Sequence, residues 1–128
     1  MVKAMKPNIT FEVRDNYLYA KTIGKFDPSL AREFIRKFKE KANSQNLNKV
    51  LCDLTPLTGF DEGDTSFMDR FELAEFIAES IPFGFKLAIL GTPQQLQGDI
   101  GETVMANRGA WIKVTSNLQE ALEWLEAD

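Results

Sequence analysis

The chain predicts a single α/β domain: a mixed β-sheet opened by an antiparallel hairpin, with the order β-β-α-β-α-β-α-β-α. Three observations carry this. Residues 9–22 alternate apolar and polar on both sides of Asp15-Asn16, as a half-buried hairpin does. Lys49 to Leu54 and Phe85 to Leu90 are short aliphatic runs, the pattern of strands covered on both faces. Helical periodicity with start signals separates the later strands, so crossover connections should make them parallel. The 128 residues suit one domain, with a core spanning about residues 9–126.

In order, Ile9 to Arg14 and Tyr17 to Thr22 form the hairpin, and Gly24 to Phe26 is a connector. Asp27 caps a helix that begins at Pro28, where proline's missing donor costs nothing. Leu30, Phe34, Ile35, Phe38 and Ala42 draw its apolar stripe, with Ala31 beside them; Arg32, Arg36, Lys37, Lys39 and Lys41 crowd the rest. The helix runs out between Asn43 and Asn48. After the strand at 49–54 comes an acidic, turn-rich loop from Thr55 to Asp64, then a second helix to Ser80, which Ile81-Pro82 ends. Thr92-Pro93-Gln94-Gln95 is a capping box, so a third helix opens there; Gly98 interrupts it and Gly109 stops it. Trp111 to Val114 is the last strand. Ser116 with Gln119 is expected to cap the final helix, whose apolar side holds Leu118, Ala121, Leu122 and Leu125.

Composition excludes several classes. No histidine is present, which removes the commonest general base, the Ser-His and Cys-His pairings and imidazole metal ligands. The single Cys52 lies in a buried strand and packs as an inert thiol. No long apolar run or signal-type leader is evident, so a cytoplasmic location without an integral membrane segment is expected. Residues 1–50 carry eleven Lys or Arg against five Asp or Glu; residues 51–128 carry four against fourteen. The first helix's solvated basic face explains the asymmetry, and no nucleic-acid motif accompanies it.

Chemistry should gather beyond the carboxyl ends of the strands. Asp53, Thr58, Asp61, Asp64, Thr65, Ser66 and Phe67 fall there, with Arg108 as a further candidate at a helix end. They offer acids and hydroxyls without a base-nucleophile pair, so no catalytic set, cofactor site or metal site is expected. Asp61, Glu62 and Asp64 match no calcium-loop spacing. Asp53 ends a central strand like a response-regulator phosphoacceptor, but that chemistry needs an acid pair after an initial buried strand, and this chain opens with a hairpin. Gly91-Thr92-Pro93 lacks the glycine spacing of a dinucleotide or P-loop site.

This order resembles the STAS domain of anti-sigma-factor antagonists and sulfate-transporter tails. More closely it resembles the bacterial SpoIIAA-like branch, which is also similar to the CRAL-TRIO lipid-binding fold. The likeness is carried by Asn107-Arg108-Gly109 before a strand, Glu120 to Leu125 in the last helix, Asp69 to Ala74 and the strand Lys86 to Leu90. Phosphorylated antagonists of that family open their second helix on Asp-Ser-(Ser/Thr)-Gly. Here the region reads Asp61-Glu62-Gly63-Asp64-Thr65-Ser66-Phe67. Matching Asp64 keeps both hydroxyls but puts Phe67 in the glycine's place; matching Asp61 loses both hydroxyls. Ser66 and Thr65 are thus weak phosphorylation candidates, since the neighbouring acids repel phosphate even at a helix start.

The resemblance implies a non-enzymatic regulatory module that binds a protein partner through the loop 55–66 and the start of the second helix. The alternative is a carrier holding an apolar small molecule or lipid against Phe67, Phe71, Phe76, Leu96 and Ile100. The broad apolar surface of the second helix also suits a homodimer contact.

Overall fold

The computed structural model describes residues 8–25, 28–58, 76–77, 79–81, 84–96 and 111–127. The hairpin forms as the alternation requires. Strand β1 (Asn8–Arg14) pairs antiparallel with β2 (Tyr17–Lys25) from Asn8↔Ile23 to Arg14↔Tyr17. The two-residue turn is closed by Asp15 at a φ of 44°, a left-handed conformation that aspartate tolerates. β2 is longer than its sequence suggests. The expected connector at Gly24 instead continues the strand to Lys25, and Gly24 takes a φ of 138°, which favours glycine.

Helix α1 (Pro28–Ser44) starts at the proline and buries Leu30, Phe34, Ile35, Phe38 and Ala42, the stripe that 3.6-residue spacing draws. Phe34 and Phe38 meet edge to face at 5.5 Å. Arg32, Arg36, Lys37 and Lys41 stand in solvent, and Lys37 pairs with Glu33 one turn away at 3.0 Å. The helix closes on Asn46 (φ 56°), with the Leu47 amide donating to Ala42 O at 2.8 Å. That is a Schellman closure, and Leu47 then packs against the core.

Strands β3 (Lys49–Asp53) and β5 (Lys86–Leu90) run parallel to each other and to β2, as their aliphatic runs and crossover connections predict. Between them lies an element absent from the expected order: β4 (Leu57–Thr58), within the stretch expected to be loop. It pairs parallel with Gly24 and Lys25, using the extra length of β2. Too short for any periodicity to register, it exists only because β2's end offers it a partner. Strand β6 (Ile112–Thr115) adds to β5, giving the sheet order β1-β2-β3-β5-β6. Residues 76–77 and 79–80 are helical, and the Ile81 amide reaches Ile77 O at 3.1 Å; Pro82 of the expected stop lies outside the described residues.

Two layers cover the sheet, and the period-2 alternation of the strands decides which residue serves which. Leu18, Ala20, Val50, Cys52, Leu87 and Ile89 face α1, Ile77, Ile81 and Phe85. Tyr17, Leu51, Ala88 and Leu90 face the last helix, α2 (Leu118–Glu126), through Ala121 and Leu125. Burying Cys52 pushes its thiol pKa up, first by desolvation and then by the adjacent Asp53, so it stays a protonated packing group.

The cap of α2 differs from expectation. Asn117, not Ser116, is the N-cap, accepting from the Glu120 amide at 3.0 Å. The Thr115 hydroxyl accepts the Asn117 amide at 3.1 Å and fixes where the chain turns, while Gln119 donates to Glu123 instead. Leu118, expected on the apolar side, is the first residue of the helix and stands 47% exposed.

The α2 face holds a buried cation that the strand pattern conceals. The Lys86 ammonium donates to Trp124 O and Ala127 O, each at 2.6 Å, at the carboxyl end of α2. It also lies 4.8 and 4.5 Å from the Trp111 and Trp124 rings. Helix-terminal carbonyls and aromatic faces both favour a positive charge. Lys86→Met keeps the stem's volume and removes the charge, so it should cost about 2 kcal/mol, the scale of hydrogen bonds to a charged group. Denaturant unfolding measures that loss. The emission of the chain's two tryptophans, both beside the ammonium, should change with it.

Candidate functional site

The carboxyl ends of β2 and β3, with β4 and the segment after β5, form a continuous rim. Asp53 ends β3 with its carboxylate buried and held by neutral donors. One oxygen accepts from the Thr55 amide at 2.9 Å and from the Thr55 hydroxyl at 2.6 Å; the other accepts from the Tyr19 hydroxyl. The Thr55 bonds turn the chain immediately after the strand, as short acidic side chains do in turns. The turn continues with the Leu57 amide donating to Leu54 O at 2.9 Å. Thr58 is exposed, and its hydroxyl donates to Gly24 O at 3.1 Å, locking β4 onto β2.

Gln95 supplies the next fastening. The capping box read from Thr92 to Gln95 is present in both directions: the Thr92 amide donates to the Gln95 side-chain oxygen at 2.7 Å, and the Gln95 amide to the Thr92 hydroxyl at 3.1 Å. The free end of the same side chain donates to Leu54 O at 2.8 Å and Leu57 O at 2.9 Å. One buried amide thus ties the segment after β5 to the turn after β3. Gly91 allows the approach, because a Cβ there would stand 2.9 Å from Leu96 Cδ2 and 3.1 Å from Gln95 Oε1.

Beside the rim, a polar strip crosses the half of the sheet that α2 leaves open. The Arg14 guanidinium lies 4.0 Å above the Tyr19 ring and pairs with Glu12 at 2.9 Å, which raises the Arg14 pKa, its hydrogen bond to Glu12 being the largest cause. Burial and the hydrogen bond to the Asp53 carboxylate push the Tyr19 phenol up to about 12. Tyr19 is therefore a neutral donor across the physiological range.

Of the residues singled out in the sequence, Asp53 and Thr58 meet at this rim, Asp53 as its buried anchor and Thr58 on its surface. Asp61, Asp64, Thr65, Ser66, Phe67 and Arg108 lie outside the described residues, as do Phe71 and Ile100. Phe76 is half-buried against the α1-side core with Arg32 over its ring at 5.9 Å, and Leu96 packs toward Gly91. The sequence reading missed Tyr19 and the bridging role of Gln95. The capping box was visible, but nothing in it says that the other end of the glutamine reaches a turn 38 to 41 residues away. Among the described residues no three acidic or cysteine side chains gather to hold a metal ion, and no helix is long and apolar enough to cross a membrane.

No family model and no curated protein matches the chain. Solved structures do. An anti-sigma factor antagonist from Mycobacterium paratuberculosis superposes with a TM-score of 0.64 over 95% of this chain and 96% of that one, at 10% identity. An uncharacterised protein of the DUF3478 family with a SpoIIAA-like fold, from Shewanella loihica, gives a TM-score of 0.56 at 24% identity over 98% of both chains. The chain has the STAS/SpoIIAA-like fold, with its mixed sheet and N-terminal hairpin.

The rim generates two measurable outcomes. The Tyr19 pKa is higher in the folded state than the ordinary value of 10, so its stabilising contribution is complete below pH 10 and lost as pH rises through about 12. The denaturation midpoint should fall across that window, and Tyr19→Phe should flatten part of the fall. Gln95→Leu strips the donors from Leu54 O and Leu57 O and undoes the cap. It should cost about 1–3 kcal/mol, with amide exchange accelerating first at residues 54–58 and 92–96.

Proposed function

We propose that the protein is a non-enzymatic regulatory module that binds a protein partner at this rim and along the acidic stretch that follows it. The carrying observation is the similarity to an anti-sigma factor antagonist, a protein whose name describes control through protein contacts, over nearly the full length of both chains. The rim suits such a role physically. Its turn is fixed from three sides, by Asp53, by β2 and by Gln95, so little ordering remains to oppose association. Its outward groups, the Thr55 and Thr58 side chains, are small and polar.

In this reading Asp53 is a positioning residue, holding Thr55 while itself buried. Thr58 begins the contact surface, which continues through Asp61, Asp64, Thr65, Ser66 and Phe67, with Arg108 at its margin. Ser66 and Thr65 are the hydroxyls available for phosphorylation in that stretch. Recognition rather than catalysis fits the chemistry here, because the rim's carboxylate is spent on structural hydrogen bonds and its phenol stays protonated.

Affinity capture with the tagged chain, followed by mass spectrometry and reconstitution with the purified partner, tests this reading. Asp64→Lys with Ser66→Glu should weaken the reconstituted complex at least tenfold while circular dichroism and Tm stay near the parent values; Thr58→Arg should weaken it as much with a native circular dichroism spectrum and a Tm lowered by the lost hydroxyl bond to Gly24 O. A complex that binds both variants as tightly as the parent would count against the proposed surface.

A further inference from the structure

Among the described residues the sheet ends in two different edges, β1 and β6. β6 is four residues long and carries Lys113; shortness and a lysine are both ways in which edge strands avoid pairing with another chain. β1 has neither protection. It is seven residues long, is matched one-to-one with β2 without a bulge, and contains no proline or lysine. Among the described residues it pairs with no strand other than β2. It also leaves Val13, a β-branched apolar residue, 47% exposed.

We infer that β1 pairs antiparallel with β1 of a second copy of this chain, about a two-fold axis at Phe11. The strand's own sequence selects this occupant and this register. Ile9 and Phe11 pack on the α1 side of the sheet, and Val13 shares their parity. Centring on Phe11 sets Ile9 opposite Val13 of the other copy, so the exposed valine gains an apolar neighbour and all seven residues pair. On the other face, Asn8 opposes Arg14 and Thr10 opposes Glu12, with no like charges directly across. Slipping by one residue would set apolar positions against polar ones. Slipping so that Val13 opposes Phe11 brings Glu12 opposite Glu12. Slipping the other way leaves Val13 beyond the paired segment. The strand is thus self-complementary in one register, as an isologous dimer requires.

This contact is independent of the rim and of the partner proposed for it. Sedimentation velocity of the full chain over a concentration series should show a monomer–dimer equilibrium. Amide exchange should slow with concentration at alternate residues of β1, which needs no substitution. Thr10→Glu lies on an exposed position beside Lys21 of its own chain and should leave the fold intact. It sets glutamate against Glu12 of the other copy and should weaken dimerisation at least tenfold. Adding Glu12→Lys to that variant should restore it. A chain that stays monomeric at every concentration, a dimer indifferent to Thr10→Glu, or a loss that Glu12→Lys does not repair overturns the inference.

Discussion

Everything in this fold follows from two parallel strands, β3 and β5, that present no face to water. A strand covered on both sides needs two layers, and alternation distributes its residues between them. Val50 and Cys52 go to the α1 layer and Leu51 to the α2 layer; Leu87 and Ile89 divide from Ala88 and Leu90 in the same way. At about 25 cal/mol per Å2 of apolar surface removed from water, each large side chain so placed is worth roughly 1.5–3 kcal/mol before entropy is counted. The same parity carries Asp53 and Lys86 to the α2 side, where each needs polar partners that a purely aliphatic layer would not offer.

Those partners define the non-core part of the structure. Asp53 is satisfied by a phenol, a hydroxyl and a backbone amide; Lys86 by two terminal carbonyls and two indole faces. Leaving either unpaired in the interior would cost several times what its hydrogen bonds return on balance. The two charges lie at opposite ends of the central strands. Lys86 closes the carboxyl end of α2 over the amino ends of the strands, and Asp53 begins the turn at their carboxyl ends. Gln95 then joins that turn to the segment after β5, making the rim a composite of three stretches far apart in the chain.

That construction separates a rigid rim from the edge of the sheet. Much of the rim's backbone is taken up by internal bonds, so in the proposed function contact there falls to outward side chains such as Thr58. In the inferred dimer the backbone of β1 is itself the recognition element, since an edge strand carries a row of donors and acceptors that its own sheet does not use. The two surfaces use different chemistry and need not compete.

Local signals were enough for the larger elements. The hairpin, the parallel strands 49–53 and 86–90, the start of α1 at Pro28 and the Thr92–Gln95 box were legible because periodicity, proline and capping pairs act within a few residues. The two-residue β4 was not legible, because its partners in β2 lie 33 residues back and supply all of its pairing. Nor was the choice of Asn117 over Ser116, both good caps, until the end of β6 fixed the entry angle. At the site, Asp53 and Thr58 stood out as polar residues after a buried strand, whereas Tyr19 and Gln95 looked like ordinary strand and capping residues. Sequence alone determined which residues seek the interior and where helices and turns begin. Only the tertiary structure decided which buried polar groups meet, because hydrogen bonds between residues 34 to 41 positions apart depend on sheet order and strand parity, neither of which is a local property.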